Sequence, residues 1–461
     1  MVMNQLRNKV IPLLNSNQYS FPGKGCPVAI VSVLDELNYQ VSQGIAVLLV
    51  LWDFSNAFCT FFHDVAIDIA RKFNFSDRLM ELFIQFLEQT SSTIKISDSG
   101  GYYLSDQIKT GRGGQQGQIG TDFVFAMLND GIQPKSFFGE FIRRMKYVDD
   151  FQDIMACSRT DLLFKSVIRN SERIYSQSTS LGFKINEIKL KMLAFHIPES
   201  EVNPAFKYVP GTSLLVKQEA DLSDEDLAIL PPLLGLGFDK NSDNRSKLKV
   251  CADKGANNCL SRLKSCYPIV LTSRKVERNS LKRINTATAM VWSSCYDIGP
   301  IYCYVSKNKF AEIEVSIRKL IRLAGLDQLT PRDVVYKLST TLSPEDMATK
   351  QIIQLGLKMV NKEELGKNRN LIKAKIGDDL KPFWNNFSHM FNALPQASRD
   401  YIFKNLDPLD KAKMNGIKEH LKTHFQKKLL PTGVIKETQK WALLKKFRYS
   451  KAKVELSLIH I

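Results

Sequence analysis

Residues 45–53 read Ile-Ala-Val-Leu-Leu-Val-Leu-Trp-Asp, an unbroken apolar run that stops at a carboxylate. A span that crosses a bilayer as a helix needs about 20 apolar residues, so this run is too short for one. It also lacks the polar–apolar alternation of a strand with one wet face. It therefore reads as a central strand buried on both sides, with its C-terminal end marked by Asp53.

The flanking sequence supplies the layers such a strand needs. Helical patterns run from His63 to Lys72 and from Asp77 to Gln89. Residues 93–97 and 102–109 form a strand pair about Gly100-Gly101. The stretch 111–120 (GRGGQQGQIG) is too glycine-rich for a regular element and opens into an apolar helix from Phe123 to Leu128. Residues 143–157 (RRMKYVDDFQDIMAC) read as strand, tight turn, strand, with Asp149-Asp150 at the turn. An amphipathic helix follows over 161–180, with Leu162, Leu163, Val167, Ile168, Ile174 and Tyr175 as its core positions. Thr160 is placed to cap its start and Gly182 to close its end, and residues 183–195 return to strand character. Beyond about residue 240 the texture is helical. Thr330-Pro331 and Ser343-Pro344 each pair a capping residue with a proline suited to the first helical position.

Charge divides the chain. Of 64 Lys/Arg and 47 Asp/Glu, residues 1–240 hold 23 and 27, whereas residues 241–461 hold 41 and 20. The first part is thus −4 and the second +21, which suggests a polyanionic partner, most simply nucleic acid; a basic membrane-surface protein is the rival reading, and solubility alone accounts for some of the excess. With 44% hydrophobic residues and 461 positions, a wholly disordered chain is excluded and two or three domains are allowed. No secretory signal pattern opens the chain. The eight cysteines lack CxxC or finger spacing and read as free, mostly buried thiols of a reducing compartment.

The chemistry is carried by aspartates. A carboxylate ending a buried strand is costly to desolvate unless a cation meets it. Asp149 and Asp150, adjacent at a hairpin turn, repel each other when both are ionised. A divalent cation relieves both penalties, and three aspartates on neighbouring strands make a hard oxygen site suited to Mg²⁺. Two such ions serve phosphoryl transfer by activating a hydroxyl and stabilising a leaving pyrophosphate.

Five segments then fall in a telling order: DFSNAF (53–58), GGQQG (113–117), YVDD (147–150), GFKINEIK (182–189) and LGLGF (234–238). Together with NQYSFPGKG (17–25), this order resembles the successive palm motifs of reverse transcriptases, in texture those of non-long-terminal-repeat (LINE-type) retrotransposons. The resemblance covers roughly residues 5–240 and weakens through to about 360. It implies an α+β right-hand polymerase: partial fingers over 1–44, a palm with a fingers insertion over 45–240, a helical thumb over 241–360 and a basic helical region over 361–455. The last six residues, 456–461, read as one frame of a common transposon-end adapter and are set apart. The implied activity is RNA-directed DNA synthesis with two Mg²⁺ ions (Mn²⁺ as substitute), on an RNA template and a DNA primer, with dNTPs and with an RNA/DNA hybrid as partner. No membrane partner is implied. The location would be intracellular, and nuclear for a eukaryotic element.

Residue by residue, the resemblance makes Asp53 and Asp149 metal ligands with Asp150 in support, and adds the Phe54 carbonyl to the metal shell. Phe58 would lie under the incoming sugar and exclude a 2′-hydroxyl, although its spacing alone favours a core aromatic. Gln116 and Gly117 would meet the template base and nascent pair, and Lys24 the nucleotide or template. Lys189, with Lys191 as competitor, would stand near the triphosphate. Leu234 and Gly235 would form the primer-grip turn. Arg245, Lys247, Lys249, Arg274, Lys275, Lys282 and Arg283 are candidate phosphate contacts, although any single one of them reads more readily as part of a solvated helix face. Lys427-Lys428 and Lys445-Lys446 extend that surface, with Trp441 and Phe447 for stacking.

YVDD points away from viral RNA replicases, where GDD is usual. Departures from the pattern are Gln118-Ile119-Gly120-Thr121-Asp122 after Gly117, where Ser-Pro-Leu-Ser-Pro is usual, and Ser20-Phe21-Pro22 without its arginine. The earlier fingers segment would lie upstream of Met1, so a longer parent frame is expected. The competing readings are a non-catalytic nucleic-acid-binding scaffold on the same fold, an intron maturase and a telomerase-like enzyme.

Overall fold

A computed structural model describes residues 2–20, 25–89, 91–98, 101–109, 111–114, 120–186, 191–197, 244–277, 279–296, 298–359, 381–407 and 410–429, a few side chains at element ends excepted. The chain divides into two units, Met1–Leu234 and Gly235–Ile461.

The first unit mixes helices with antiparallel sheet. Its helices are α1 (Val2–Val10), α2 (Cys26–Ser42), α3 (Ala57–Thr60), α4 (His63–Arg71), α5 (Asp77–Glu88), α6 (Thr121–Asp130) and α7 (Thr160–Ser180). Its strands are β1 (Ala46–Trp52), β2 (Phe54–Ser55), β3 (Ser91–Ser92), β4 (Lys95–Asp98), β5 (Gly101–Leu104), β6 (Ile108–Lys109), β7 (Phe141–Tyr147), β8 (Asp150–Cys157), β9 (Lys184–Ile185) and β10 (Lys191–Phe195). The main sheet has the order β10-β1-β8-β7, so β1 is internal.

All seven residues of β1 are buried, and side-chain alternation explains why. Ala46, Leu48, Val50 and Trp52 join a core with Phe123, Phe125, Leu163 and Val167 from α6 and α7. Val47, Leu49 and Leu51 point to the opposite face, where α2 packs. The Arg143–Glu36 ion pair, at 2.5 Å, ties α2 to β7.

The two-strand elements behave as the turns require. β4 and β5 pair with Asp98 opposite Gly101, as the Gly100-Gly101 signal implies. In α7, Leu163, Val167 and Ile174 are buried, and so is Phe164, which periodicity passed over. Gly182 closes α7 at φ 88°, with its N–H donating to Thr179 O and that of Phe183 to Ser178 O. Thr160 does not cap the helix: it is already helical, and Arg159 holds the capping position while pairing with Asp161 at 2.9 Å.

In the second unit every described element is a helix: α8 (Asn244–Val276), α9 (Ser280–Ser294), α10 (Ile298–Ile301), α11 (Lys307–Leu323), α12 (Arg332–Ser339), α13 (Pro344–Met359), α14 (Pro382–Asn392), α15 (Gln396–Asn405) and α16 (Lys411–Leu429). α8 packs on α9 and α11, and α13 packs on α14 and α16. Gly356 lets α13 approach Phe387 so closely that a Cβ there would lie 2.2 Å from the ring. Ser343 caps α13, its Oγ accepting from Asp346 N–H at 3.1 Å. Thr330 does not cap α12. Its hydroxyl donates back to Asp327 O at 2.6 Å, and Pro331 takes the capping position.

The cysteines are less buried than expected. Cys259 and Cys295 are buried, their sulfurs 3.4 Å apart, whereas Cys59 is exposed and Cys26, Cys157, Cys266 and Cys303 are half-buried. No described helix is long and apolar enough to cross a membrane.

Candidate active site

The ladder between β1 and β8 sets Trp52 opposite Phe151. The next step along each strand is Asp53 on one side and Asp150 on the other. The β7–β8 ladder ends with Tyr147 opposite Asp150, which leaves Val148 and Asp149 as a two-residue turn. Asp53, Asp149 and Asp150 therefore stand at the same end of neighbouring strands, and all three are half-buried.

Val148 adopts φ 56°. Two-residue hairpins whose twist matches the flanking strands need a positive φ at their first position, normally supplied by glycine, asparagine or aspartate. A β-branched residue there is strained by roughly 1–3 kcal/mol and persists only where its surroundings over-determine it. The surroundings are visible. Asn129, fully buried on α6, donates to Val148 O at 3.4 Å and accepts a hydrogen bond from the Gln18 amide. Lys146, fully buried, donates to Asn129 O at 2.6 Å and Asp130 O at 3.3 Å. Burial, reinforced by repulsion from Arg144, pulls its ammonium down to about 7. Backbone bonds from Lys146 N to Asn17 O and from Tyr19 N to Lys146 O clamp residues 17–19 along β7.

Behind the turn, Arg144 grips Asp153 with two bonds of 2.6 and 2.5 Å, and Trp52 Nε1 donates to the same carboxylate at 3.1 Å. The Arg144 guanidinium also donates to Ile132 O. This charge pair is buried on both sides, so its geometry is demanding.

Asn186 is the residue that motif reading missed. Its side chain donates to Asp53 Oδ2 at 3.1 Å and its N–H to Asp53 O at 2.9 Å. It lies within GFKIN, one place after β9, which pairs with β2. The signal was present as a polar residue ending a short strand.

Phe54 is buried and its ring meets Phe151 at 5.0 Å and Phe183 at 5.6 Å. Phe58 is half-buried, 5.1 Å from Phe125, at the margin of the core. The glycine-rich loop is seated beside it: Gly113 N–H donates to Phe61 O and Gly114 N–H to Phe58 O, and His63 Nε2 lies 2.7 Å from Gly113 O. Lys24, Gln116, Gly117, Lys189, Leu234 and Gly235 lie outside the described residues. So do the side chains of Lys191, Arg245, Lys247, Lys249 and Lys428, and Trp441, Lys445, Lys446 and Phe447 altogether.

Two of the basic candidates in the second unit serve the fold. Arg283 donates to Ala324 O, Glu277 O and Ser280 Oγ, and Arg274 donates to Arg322 O. Lys275 and Lys282 are exposed, as is Lys427.

The donor set at the sheet edge, three carboxylates, fits a hard divalent cation in chemistry. The side chains do not converge on one point: among the described residues no group of three His, Cys, Asp or Glu stands close enough to hold a metal ion.

No family model matches the chain, and no curated protein does. Solved telomerase structures are similar in part. Telomerase from Candida tropicalis in complex with a TWJ fragment of telomeric RNA aligns at 12% identity and TM-score 0.35, over 74% of this chain and 56% of that one. The Candida albicans complex aligns at 12% and 0.33, over 79% and 55%. Apo Candida tropicalis telomerase lacking its C-terminal domain aligns at 16% and 0.32, over 43% and 41%. The chain thus spans less than two thirds of each telomerase chain, and TM-scores near one third do not define a shared architecture.

Proposed function

We propose that this chain is an RNA-directed DNA polymerase of a LINE-type mobile element, extending a primer 3′-hydroxyl with dNTPs on an RNA template. The observation that carries this reading is the strand register that brings Asp53 beside Asp149-Asp150, in a chain whose motifs occur in reverse-transcriptase order.

In this reading Asp53, Asp149, Asp150 and the Phe54 carbonyl would hold two Mg²⁺ ions. The chemistry those ions supply when bound is activation of the 3′-hydroxyl and stabilisation of the departing pyrophosphate. The chain's own residues position that edge. Asn186 fixes one oxygen of Asp53, so convergence of the carboxylates requires this bond to shift. Asn129 and Lys146 hold the strained turn that carries Asp149. Phe58, a half-buried ring at the margin of the core, would lie under the incoming sugar and exclude a 2′-hydroxyl. The basic second unit supplies phosphate contacts for the hybrid.

The test is dNTP incorporation on a primed RNA template. Asp149→Asn is expected to reduce extension by at least about 10³-fold, the scale of removing an essential electrostatic element. Extension by the variant at the wild-type rate would overturn the reading. A non-catalytic nucleic-acid-binding chain on the same fold is the second reading. It is favoured by the failure of the three carboxylates to converge, and would be supported by Mg²⁺-insensitive primer–template binding without extension.

A further inference from the structure

A second site is visible on the helical unit, which carries none of the aspartate motifs. Lys350 lies on α13 and is only 4% exposed. No hydrogen bond or ion pair links it to another described residue. Its ammonium rests 4.7 Å from the centre of the Trp292 ring. One turn further along α13, Gln354 has a buried side-chain nitrogen with no hydrogen-bond partner. Another turn along stands Lys358. Positions 350, 354 and 358 form one strip, since residues four apart share a helix face.

α16 is among the helices that pack on α13. It contributes Lys418 and Lys422, four apart, and both are close enough to Lys350 to repel its charge. Lys418 also opposes Lys358. Burial and these neighbours together draw Lys350 down to about 8 and lower Lys358 as well. Glu419 is the nearby carboxylate and is engaged by Lys422 at 3.3 Å. At the start of α13, Asp346 bounds the strip and is held by Ser343. Among the described residues, four cations and an unpartnered amide donor thus face one another, with Glu419 as the acid beside Lys350 and Asp346 at the start of the strip.

Like charges at a helix–helix contact cost stability, and a buried ammonium met by an aromatic ring rather than by an anion costs more. The arrangement becomes favourable when an anion joins it. We propose that the Lys350–Gln354–Lys358 strip with Lys418 and Lys422 is a binding site for the phosphate backbone of a nucleic-acid strand. Lys358, Lys418 and Lys422 reach solvent and make the contacts, while Lys350 lies beneath and adds field. Lys418 and Lys422 stand four residues, about 6 Å, apart along α16, which matches about two phosphates at about 3.4 Å of rise per strand unit, with Lys358 opposite them. A lone phosphate would use only one end. Lysine point charges without a reading side chain fit a backbone rather than a sequence. The site rests on one part of the polymerase reading, the phosphate contacts of the second unit, and needs no catalysis.

The test uses the full chain and a dye-labelled RNA/DNA hybrid with a blocked 3′ end, so that binding is read without extension. Anisotropy is followed across a salt series for wild type and for Lys358→Gln/Lys418→Gln/Lys422→Gln. Loss of three phosphate contacts should reduce the magnitude of the slope of log affinity against log salt by about 2 to 3. An unchanged slope and affinity would overturn the site. A second measurement on wild type alone guards against misfolding of the variant: lysine acylation read by mass spectrometry. The hybrid should protect Lys358, Lys418 and Lys422 at least about fivefold, a factor equivalent to roughly 1 kcal/mol of occupancy. No protection, or protection by anionic phospholipid vesicles and not by hybrid, would overturn the assignment. Failure of primer extension leaves both readouts intact.

Discussion

Val148 shows how a single residue is held against its own preference. Its side chain packs at the margin of the core, while its backbone sits where glycine is favoured. Val148→Gly removes apolar contact and relieves strain, so the two effects should nearly cancel, with stability changing by less than about 1 kcal/mol in urea unfolding. The turn should then lose definition, and extension should slow by roughly tenfold. Lys146 makes a second prediction, in pH. The folded protein releases its proton near 7, whereas the unfolded chain holds it up to about 10.4. The unfolded state therefore binds more protons between those limits, and stability should rise as pH increases from about 7 toward 10. Below about 7 the contribution is constant. Lys146→Met should flatten this part of the pH profile, and an unchanged slope would refute the assignment. It would also strand Asn129 O and Asp130 O, which pulls stability down by about 1–3 kcal/mol.

At the scale of elements, the β7–β8 hairpin and the glycine loop depend on close backbone approach. Gly113 has φ +62°, and a Cβ there would lie 2.3 Å from the Cys59 carbonyl carbon and 2.5 Å from Phe58 O. Gly113→Ala is expected to destabilise the first unit by more than about 2 kcal/mol, combining the left-handed backbone penalty with displacement of α3. Thermal unfolding of the variant checks this. A melting point within about 2 °C of wild type would show that the loop is looser than its bonds to Phe58 and Phe61 imply.

At the scale of the molecule, the division of charge should appear in binding. The +21 segment is expected to make hybrid affinity fall steeply with salt, by at least about 10³ from low to physiological ionic strength. Asp149→Asn should leave that affinity undiminished, because it removes a negative charge from the other segment. Weakened binding by this variant, measured by anisotropy, would show that the turn itself carries the affinity.

Strand β1, the hairpin about Asp149, the β4–β5 turn and the Ser343 cap were legible in the sequence, because each is decided by local periodicity or by turn and cap chemistry within a few residues. The order of the aspartates was legible too. What tertiary structure alone decided is the set of partners across the sheet and between helices. Asn186 reaches Asp53 across more than a hundred residues, and Asn129 and Gln18 brace Val148 from separate helix and loop segments. Thr330 and Thr160 have the composition of caps, yet their neighbours direct them elsewhere. Arg283 looks like a phosphate contact and ties helix ends together. Lys350 looks like any lysine until α16 closes over it. A side chain's local preference is worth about 1 kcal/mol, whereas burial of a charge or an unpaired donor costs several times that. The long-range contacts therefore set these residues' roles.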